Sequence, residues 1–360
     1  MLDSVLGNCK SVNVSRRVAS VLAALAAAPM VVYAGTPHTE PASISPSTGH
    51  IDQSLRLESI GFRLVQANAA QCDHPQMLTG LMLNNIGGYA AVDRPAVSEV
   101  YNLTYGFGVL HVVPGSGADL AGLAEGDEII AVNGHDLSSF APELIRAAAS
   151  FDRTERFFDY LEAALHAGPA RLEIRRTSGR ASVEISGSQG CGGRFAMLQR
   201  SSSNAWSDGR YVAVTDRMMD AVTDDHELAF VVAHEIAHNI LHHANRSSSI
   251  KRLFMQFGIG AAKMKASEME ADTLAVELIA RAGYDLNAPE RLLRRSSRAR
   301  WMDLPITHPG ISRRILIVRA AIARLAIAQP QEQPLVSTSR SSATAWTEGA
   351  IPAAAPASRQ

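Results

Sequence analysis

Apolar and polar positions divide this chain of 360 residues into parts with different periods. Residues 51–70 place apolar side chains at helical spacing, which predicts an amphipathic helix at the start of a helical segment over 51–95. The next part alternates short apolar runs with Gly, Pro and Asn turn signals, as strands do. From Thr223 the apolar positions again follow a helical period. The pattern predicts an α+β fold, with a β-rich sandwich or barrel domain over 96–187 and a mainly helical domain over 188–328.

The β-rich part has its clearest signals over residues 105–137. A predicted strand at 109–113 is followed by a Pro-Gly turn and a short helix, and a second strand at 128–132 ends at Asn133-Gly134. The remaining elements of the domain are predicted further along the chain: a helix over 154–166 and a hairpin of strands over 170–175 and 180–185.

This part of the sequence resembles a PDZ domain of the kind associated with bacterial proteases. The resemblance rests on a Gly-Phe-Gly loop at 106–108, an Ala-Gly-Leu corner at 121–123, and the strand between Gly126-Asp127 and Asn133-Gly134. It implies that an extended peptide adds to a sheet edge, and that backbone N–H groups of the loop receive a terminal carboxylate. The peptide-binding residues implied in this way are Gly106, Phe107, Gly108 and Val109. The alternative is a PDZ-shaped spacer with a blocked groove.

The stretch VVAHEIAHNILHH, residues 231–243, places metal-binding side chains inside an apolar helix. His234 and His238 are four residues apart, so both imidazoles leave one helix face close enough to hold a single ion. Glu235 is offset from them and is suited to accept a proton from water at that ion. The alternative is a core helix that carries a few histidines, but a buried Glu between two His needs partners.

A zinc site of this kind needs a third protein ligand and leaves one position for water. The extension HExxHxxGxxH is excluded because Leu241 and Ala244 stand at its Gly and His positions. His242 and His243 continue the same helix, and three ligands along one straight helix would have to reach too far, so His242 is expected to be a surface group or a group that supports a ligand.

The remaining candidates lie in a second predicted helix, SEMEADTLAVELIARAGYD, residues 267–285. Its apolar face carries Glu268, with Asp272 one turn later, whereas Glu270 and Glu277 fall on the solvated side. We therefore expect Glu268 to be the third ligand. Asp272 would accept a hydrogen bond from the free ring N–H of a ligating histidine. The alternative for Asp272 is an ordinary acid on the helix surface.

An HExxH motif followed by a helix of the form ExEADxxA resembles the gluzincin metallopeptidases of the HtpX, Oma and CAAX prenyl protease type. The resemblance covers roughly residues 200–325 and includes two separated metal motifs in order. It implies a zincin domain with a small edge sheet, one Zn²⁺ per chain, and Glu268 as the third ligand. This chain has no transmembrane helices of the membrane-embedded members, so prenylated substrates are not expected.

The same resemblance places Thr307-His308-Pro309 near the metal. His308 is therefore the candidate donor to the oxyanion that develops during peptide hydrolysis, with Tyr284 and Arg313 as alternatives. A capping or structural role before a helix is the competing explanation for His308. The strand predicted at 211–215 is the expected edge for substrate backbone.

Composition and the N-terminus bear on partners and location. The formal net charge is -1 and the pI is near 6.9, which leaves no basic excess for a nucleic-acid backbone. Residues 1–34 combine early basic residues, an apolar run and small residues at the end, which predicts a removable signal peptide and a periplasmic or secreted protein. An uncleaved membrane anchor is the alternative. Residues 35–50 are predicted to be a linker and 329–360 a disordered tail.

Of the three cysteines, Cys9 lies within the predicted signal peptide. Cys72 and Cys191 remain as an even pair in an oxidising compartment, which predicts a disulfide. Binding of a metal by the two thiolates is the alternative.

Taken together, these features predict an exported zinc endopeptidase that acts on protein or peptide substrates, with a PDZ domain for recognition or regulation. The competing hypothesis is a non-catalytic PDZ scaffold in which the metal only stabilises the fold. The sequence leaves the substrate open.

Overall fold

The computed structural model describes residues 48–140, 149–243, 261–299 and 309–328. All of them belong to one compact unit. The predicted signal peptide, nearly all of the predicted linker, His308 and the predicted tail lie outside the described residues.

The PDZ-type part is an antiparallel sheet of six strands closed by a helix. Its strand order is β2-β3-β4-β6-β7, and β5 pairs with β4. The strands are β2 (Leu81–Asn84), β3 (Phe107–Val112), β4 (Glu128–Val132), β5 (His135–Asp136), β6 (Ala170–Arg176) and β7 (Gly179–Ile185). The helices of this part are α2 (Arg94–Val100), α3 (Gly117–Leu120) and α4 (Asp152–Ala167).

The core of this part forms where α4 covers the sheet. Phe107 of β3 stacks on Phe157 of α4, with ring centroids 4.1 Å apart. Arg153, the second residue of α4, is buried, and its guanidinium lies 4.1 Å from the centre of the Phe107 ring. It also donates hydrogen bonds to the backbone carbonyls of Tyr105 and Gly106, which satisfies its buried N–H groups.

The second part of the molecule packs helices against a three-stranded sheet of order β10-β11-β9. Its strands are β9 (Arg194–Leu198), β10 (Ala205–Ser207) and β11 (Tyr211–Thr215). Its helices are α1 (Thr48–Ala67), α5 (Asp216–Ala221), α6 (Asp225–Ile240), α7 (Ala261–Arg281), α8 (Ala288–Ala299) and α9 (Ile311–Ala328). The predicted α+β class, with a PDZ-like β domain and a largely helical remainder, is confirmed.

Helix α6 is the centre of the helical part. The side chain of Asp224 caps it by accepting hydrogen bonds from the backbone N–H groups of His226 at 2.8 Å and Glu227 at 3.0 Å. Eleven of its sixteen residues are buried, because α1, α7, α8 and the sheet cover it from several sides. A helix enclosed in this way carries apolar side chains around most of its circumference.

The first helix belongs to the core of the helical part, although it precedes the strands of the PDZ-type part in the chain. Leu57 and Leu64 of α1 are buried in the same core as Val231 of α6. The predicted helical segment over 51–95 is therefore wrong beyond its first helix, because residues 68–95 turn back and form two strands, one of them the PDZ edge strand β2. The β-rich domain is an insertion between α1 and β9.

The segments through which the chain enters and leaves this insertion are joined to each other. Strand β1 (Gln76–Leu78) pairs antiparallel with β8 (Ser188–Gly190). Beside this pair the structure joins Cys72 to Cys191 in a disulfide, with Cα atoms 5.4 Å apart and a sequence separation of 119. None of the helices in the described ranges has the length and apolar character needed to span a bilayer.

Candidate metal centre

Helices α6 and α7 lie side by side and bring together His234, His238 and Glu268. The Nε2 atoms of the two histidines are 3.1 Å apart. The Glu268 carboxylate lies 3.3 Å from Nε2 of His234 and 3.4 Å from Nε2 of His238. Two ring nitrogens and one carboxylate therefore point at a common centre.

These donors fit a single zinc ion. Zinc–nitrogen and zinc–oxygen bonds of about 2.0–2.1 Å in a tetrahedron separate neighbouring ligand atoms by about 3.3 Å. The observed separations of 3.1, 3.3 and 3.4 Å lie close to that value. Imidazole nitrogen and carboxylate oxygen are also donors that zinc accepts.

The second ring nitrogen of His234 faces Asp272. Its Nδ1 atom is 3.0 Å from Asp272 Oδ1, although the N–H is not aligned straight at the oxygen. Asp272 in turn accepts two hydrogen bonds from Arg314 of α9, at 2.6 and 2.8 Å. Asp272 is fully buried, so the alternative of an ordinary acid on the helix surface is wrong.

The charges around Asp272 favour its ionised form. Burial alone would raise the pKa of Asp272, but the guanidinium of Arg314 and the ring of His234 lower it to about 2. Burial would likewise lower the pKa of Arg314, yet Asp272, Glu268 and Glu235 raise it. In the absence of a metal, burial opposes the charged form of His234, but Asp272 and Glu268 outweigh it and raise its pKa to about 10. The pocket is thus built to hold positive charge.

Glu235 lies on α6 between the two histidines and is half-buried. Its negative charge contributes to the raised pKa of Arg314, which places it within electrostatic reach of the same pocket. His308 lies outside the described residues, which resume at Pro309 just before α9.

The two alternatives to His308, Tyr284 and Arg313, lie at different places relative to the metal pocket. Tyr284 packs against His226, near the start of α6, with ring centroids 5.7 Å apart. His226 precedes His234 by eight residues, or about 12 Å along a helix, so Tyr284 lies at the wrong end of α6. Arg313 is directed at the sulfur of Met269, with Nε 3.3 Å away.

His243 and Glu270, which the sequence analysis did not assign to the site, complete the surroundings of the histidines. His243 Nδ1 lies 2.9 Å from Nδ1 of His238, and its other nitrogen lies 3.3 Å from the carboxylate of Glu270. Helical periodicity placed Glu270 on the solvated side, and its side chain is 58% exposed while still reaching His243. The repeated histidines after HExxH were the available signal, but their contact depends on how the chain turns after α6.

The peptide-binding residues expected in the PDZ part are placed wrongly. Strand β3, which contains Phe107, Gly108 and Val109, is hydrogen-bonded to β2 on one side and to β4 on the other, so it has no edge for a peptide. The backbone N–H of Gly106 donates to the carboxylate of Glu128 at 2.9 Å. The carboxylate of Glu128 therefore occupies the place in the loop where the terminal carboxylate of a peptide was expected.

One edge of the PDZ sheet is β2, which pairs only with β3 among the strands of the described residues. A cavity of about 550 Å³ lies beside it. Its walls come from β2 and the residues just before it, from α4, from one face of the β9–β11 sheet, and from α1. Glu58 of α1 lines this cavity, and burial raises its pKa to about 8.

The strand predicted at 211–215 is likewise not an edge. Strand β11 is the middle strand of its sheet and pairs with β9 and β10. Its first residue, Tyr211, donates a hydrogen bond from its hydroxyl to Glu155 of α4, and Arg194 of β9 pairs with the same carboxylate. These contacts join helix α4 of the PDZ-type part to the three-stranded sheet of the helical part.

Comparison with known proteins gives two family matches. Residues 170–267 match peptidase family M48, and residues 51–150 match the PDZ domain. The first match includes both histidines of the metal pocket and ends one residue before Glu268. It is a match to the family as a whole and does not distinguish the HtpX, Oma and CAAX prenyl protease types.

Solved structures with detectable similarity include two PDZ-containing proteins. The HtrA3 PDZ domain bound to a phage-derived ligand (FGRWV) is 22% identical over 32% of this chain and 88% of its own, with a TM-score of 0.23. The HtrA-type protease AlgW with a decapeptide is 16% identical over 32% of this chain and 30% of its own, with a TM-score of 0.24. No curated protein sequence matches the chain. The two matches show that the chain combines a part similar to the PDZ domain with a part similar to the metallopeptidases of family M48.

Proposed function

We propose that the chain is an exported, zinc-dependent endopeptidase that hydrolyses peptide bonds in protein substrates. One observation carries the proposal: ligand atoms of His234, His238 and Glu268 lie within 4.8 Å of one another in a largely buried pocket, and the half-buried Glu235 stands beside them. The three residues would hold one zinc ion. When bound, zinc supplies Lewis acidity, which acidifies water and polarises a carbonyl group.

The residues around the pocket have separate tasks in such a reaction. The Glu235 carboxylate accepts a proton from the attacking water and later gives it to the amide nitrogen of the leaving amine. Asp272 lies 3.0 Å from Nδ1 of His234, where it would accept the Nδ1–H and so keep the Nε2 lone pair of that ring directed at the pocket. Arg314 holds the Asp272 carboxylate in place by two hydrogen bonds. His308 remains the candidate donor to the oxyanion.

The competing function is a PDZ scaffold with a structural metal site. Structural zinc sites are usually closed by four protein ligands, whereas three donor groups converge here among the described residues. A carboxylate beside the donors that is not itself among them, Glu235, favours catalysis.

The Glu235→Gln variant tests the proposal. Loss of a general base typically costs about 10²–10⁴-fold in rate, so we expect cleavage of an unfolded protein to fall by at least about 100-fold. Zinc content should stay at one per chain, because Glu235 is not a ligand. Glu184→Gln, an exposed position on β7, is the matched control and should cleave normally. Wild-type protein that binds zinc but cuts no faster than Glu235→Gln would support the scaffold.

The PDZ part is the proposed site for recognition of protein C-termini. An extended peptide would add to the open edge of β2 and place its side chains in the neighbouring cavity. The cavity also borders the peptidase sheet, so Ala196→Phe on β9 should weaken binding without altering the PDZ strands. Titration with matched peptides that end in a free carboxylate or an amide measures this, and equal affinity for both would exclude recognition of the terminus.

A further inference from the structure

The C-terminus of α6 ends in a specific turn. The N–H of His243 donates to the carbonyl of His238 at 3.0 Å, and the N–H of His242 donates to the carbonyl of Asn239 at 3.0 Å. This pair of hydrogen bonds defines a Schellman motif, which requires a left-handed residue one position after the cap. His242 has φ +54° and occupies that position, where glycine is the usual residue.

The turn determines where His243 lies. In a Schellman motif the second residue after the cap returns toward the helix and contacts the residue three positions before the cap. Here those residues are His243 and His238, with ring centroids 4.9 Å apart and ring planes at 69°. The side chain of His243 is 6% exposed, so it is packed against its neighbour and does not extend into solvent.

The hydrogen-bonding roles in this contact follow from the metal pocket. His238 directs Nε2 at the other donors, so a neutral His238 that ligates through Nε2 carries its proton on Nδ1. That Nδ1–H faces Nδ1 of His243 at 2.9 Å, which must then be the unprotonated nitrogen. The proton of His243 therefore lies on Nε2 and faces the Glu270 carboxylate at 3.3 Å.

We infer that His243 is a positioning residue of the metal site, which holds the ring of His238 through Nδ1 and is itself oriented by Glu270. This inference rests on the proposed zinc site. The two histidine ligands would then be held by different means: His234 by the buried pair of Asp272 and Arg314, and His238 by a neutral imidazole supported by a more exposed carboxylate. Of these two residues, His243 contributes most to holding the ring of His238, and Glu270 contributes less.

Two substitutions at one position separate this role from packing. Asn places an oxygen acceptor near the position of the His243 Nδ1 atom, whereas Leu has a similar size and no acceptor. Loss of a partner that orients a ligating histidine typically weakens metal binding about 10–100-fold. We expect the zinc dissociation constant of the mature full chain, measured by competition with a chelator, to rise by that factor in His243→Leu. His243→Asn should stay within about threefold of wild type.

Two further variants serve as controls. His242→Gly relieves the left-handed conformation beside His243 and should leave zinc affinity unchanged. Glu270→Ala removes the more exposed support and should raise the dissociation constant by about threefold, whereas Glu270→Gln should restore it through the amide oxygen. Because Glu270 is on the surface, this pair also answers the question if His243→Leu does not fold.

The outcomes are distinguishable. Equal zinc affinity in wild type, His243→Leu and Glu270→Ala would overturn the positioning role while leaving the zinc site intact. Equal losses in His243→Asn and His243→Leu would assign His243 to packing alone. A wild-type chain with no affinity for zinc would overturn the proposed function itself.

Discussion

At the scale of single residues, the buried pair of Asp272 and Arg314 connects stability to metal binding. Arg314 is 6% exposed and Asp272 is fully buried, so each neutralises a charge that would otherwise be costly in the interior. Both carboxylate oxygens of Asp272 accept hydrogen bonds from Arg314, and Oδ1 also faces His234. Removal of either partner therefore affects both the fold and the ligand.

The variant Asp272→Asn tests this connection. It removes the charged hydrogen-bond partner of the buried Arg314, which should lower the free energy of unfolding by about 3–5 kcal/mol. Zinc affinity should also fall by about 10–100-fold, because His234 loses its charged acceptor. Urea unfolding of the metal-free protein and chelator competition measure the two effects. A double variant, Asp272→Leu with Arg314→Met, should recover stability without recovering affinity; recovery of both would assign the pair to the fold alone.

Glu58 predicts a pH dependence of stability. Burial raises its pKa from 4.5 to about 8 within the cavity that Glu155, Glu162 and Arg194 also line. Between these two values the folded chain keeps a proton that the unfolded chain has released, so stability falls as pH rises through that window. We expect the loss to be about 2 kcal/mol, less than the full pKa change implies, because the side chain is only partly shielded from water. Above pH 8, Glu58→Gln should be more stable than wild type in urea; equal pH slopes would contradict this.

At this scale the sequence is informative wherever chemistry follows from local spacing. His234 and His238 share a helix face because they are four residues apart, and the apolar periodicity of α7 by itself favours Glu268 over Glu270 as a ligand. Arg314 and His243 were not assigned in this way. Arg314 acts on Asp272 of a helix that is distant in the chain. His243 acts through a left-handed turn at His242, and histidine is not a residue type that predicts this conformation.

At the scale of elements, the two long helices that carry the site were predictable, and so were most strands of the PDZ sheet, but the short strands β1 and β2 were not. Helix α6 shows its period over sixteen residues, whereas β2 has only four and offers too few positions to reveal a period of two. That omission led to the wrong peptide edge, since β3 looks like an edge strand until β2 is placed beside it. Pairing partners far apart in sequence decide which strand lies at an edge.

Helix α1 provides a test of the insertion. Leu64 of α1 is buried in the peptidase core, and Leu172 of β6 is buried in the PDZ core. Leu→Ala at either position should destabilise its own core by about 2–5 kcal/mol. Leu64→Ala should lower the urea concentration at which zinc is lost, whereas Leu172→Ala should spare the zinc site while exposing amides of the PDZ strands to hydrogen exchange. If instead Leu64→Ala exposed the amides of the PDZ strands and spared the zinc site, α1 would support the PDZ domain.

At the scale of the whole molecule, the PDZ domain is held to the peptidase at two places. The base of the insertion has the β1–β8 pair and the disulfide between Cys72 and Cys191. Near α4, the acidic side chains of Glu155 and Asp159 meet Arg194, at the edge of the cavity. The cavity walls therefore depend on both attachments, and a ligand that separates or closes them acts on the two domains together.

The disulfide gives the clearest test of this arrangement, because it closes a loop that contains the whole PDZ domain. A cross-link over a separation of 119 residues limits the unfolded chain strongly, and loss of a native disulfide typically costs about 2–5 kcal/mol. We expect a double variant, Cys72→Ala with Cys191→Ala, to unfold at lower urea concentration by that amount and to lose protection from hydrogen exchange first at β1 and β8. Wild-type protein treated with reductant should behave in the same way, whereas the reductant should not affect the double variant. If the untreated wild type, the reduced wild type and the double variant all unfold at the same urea concentration, the strand pair and the ion pairs at α4 hold the insertion without the covalent bond.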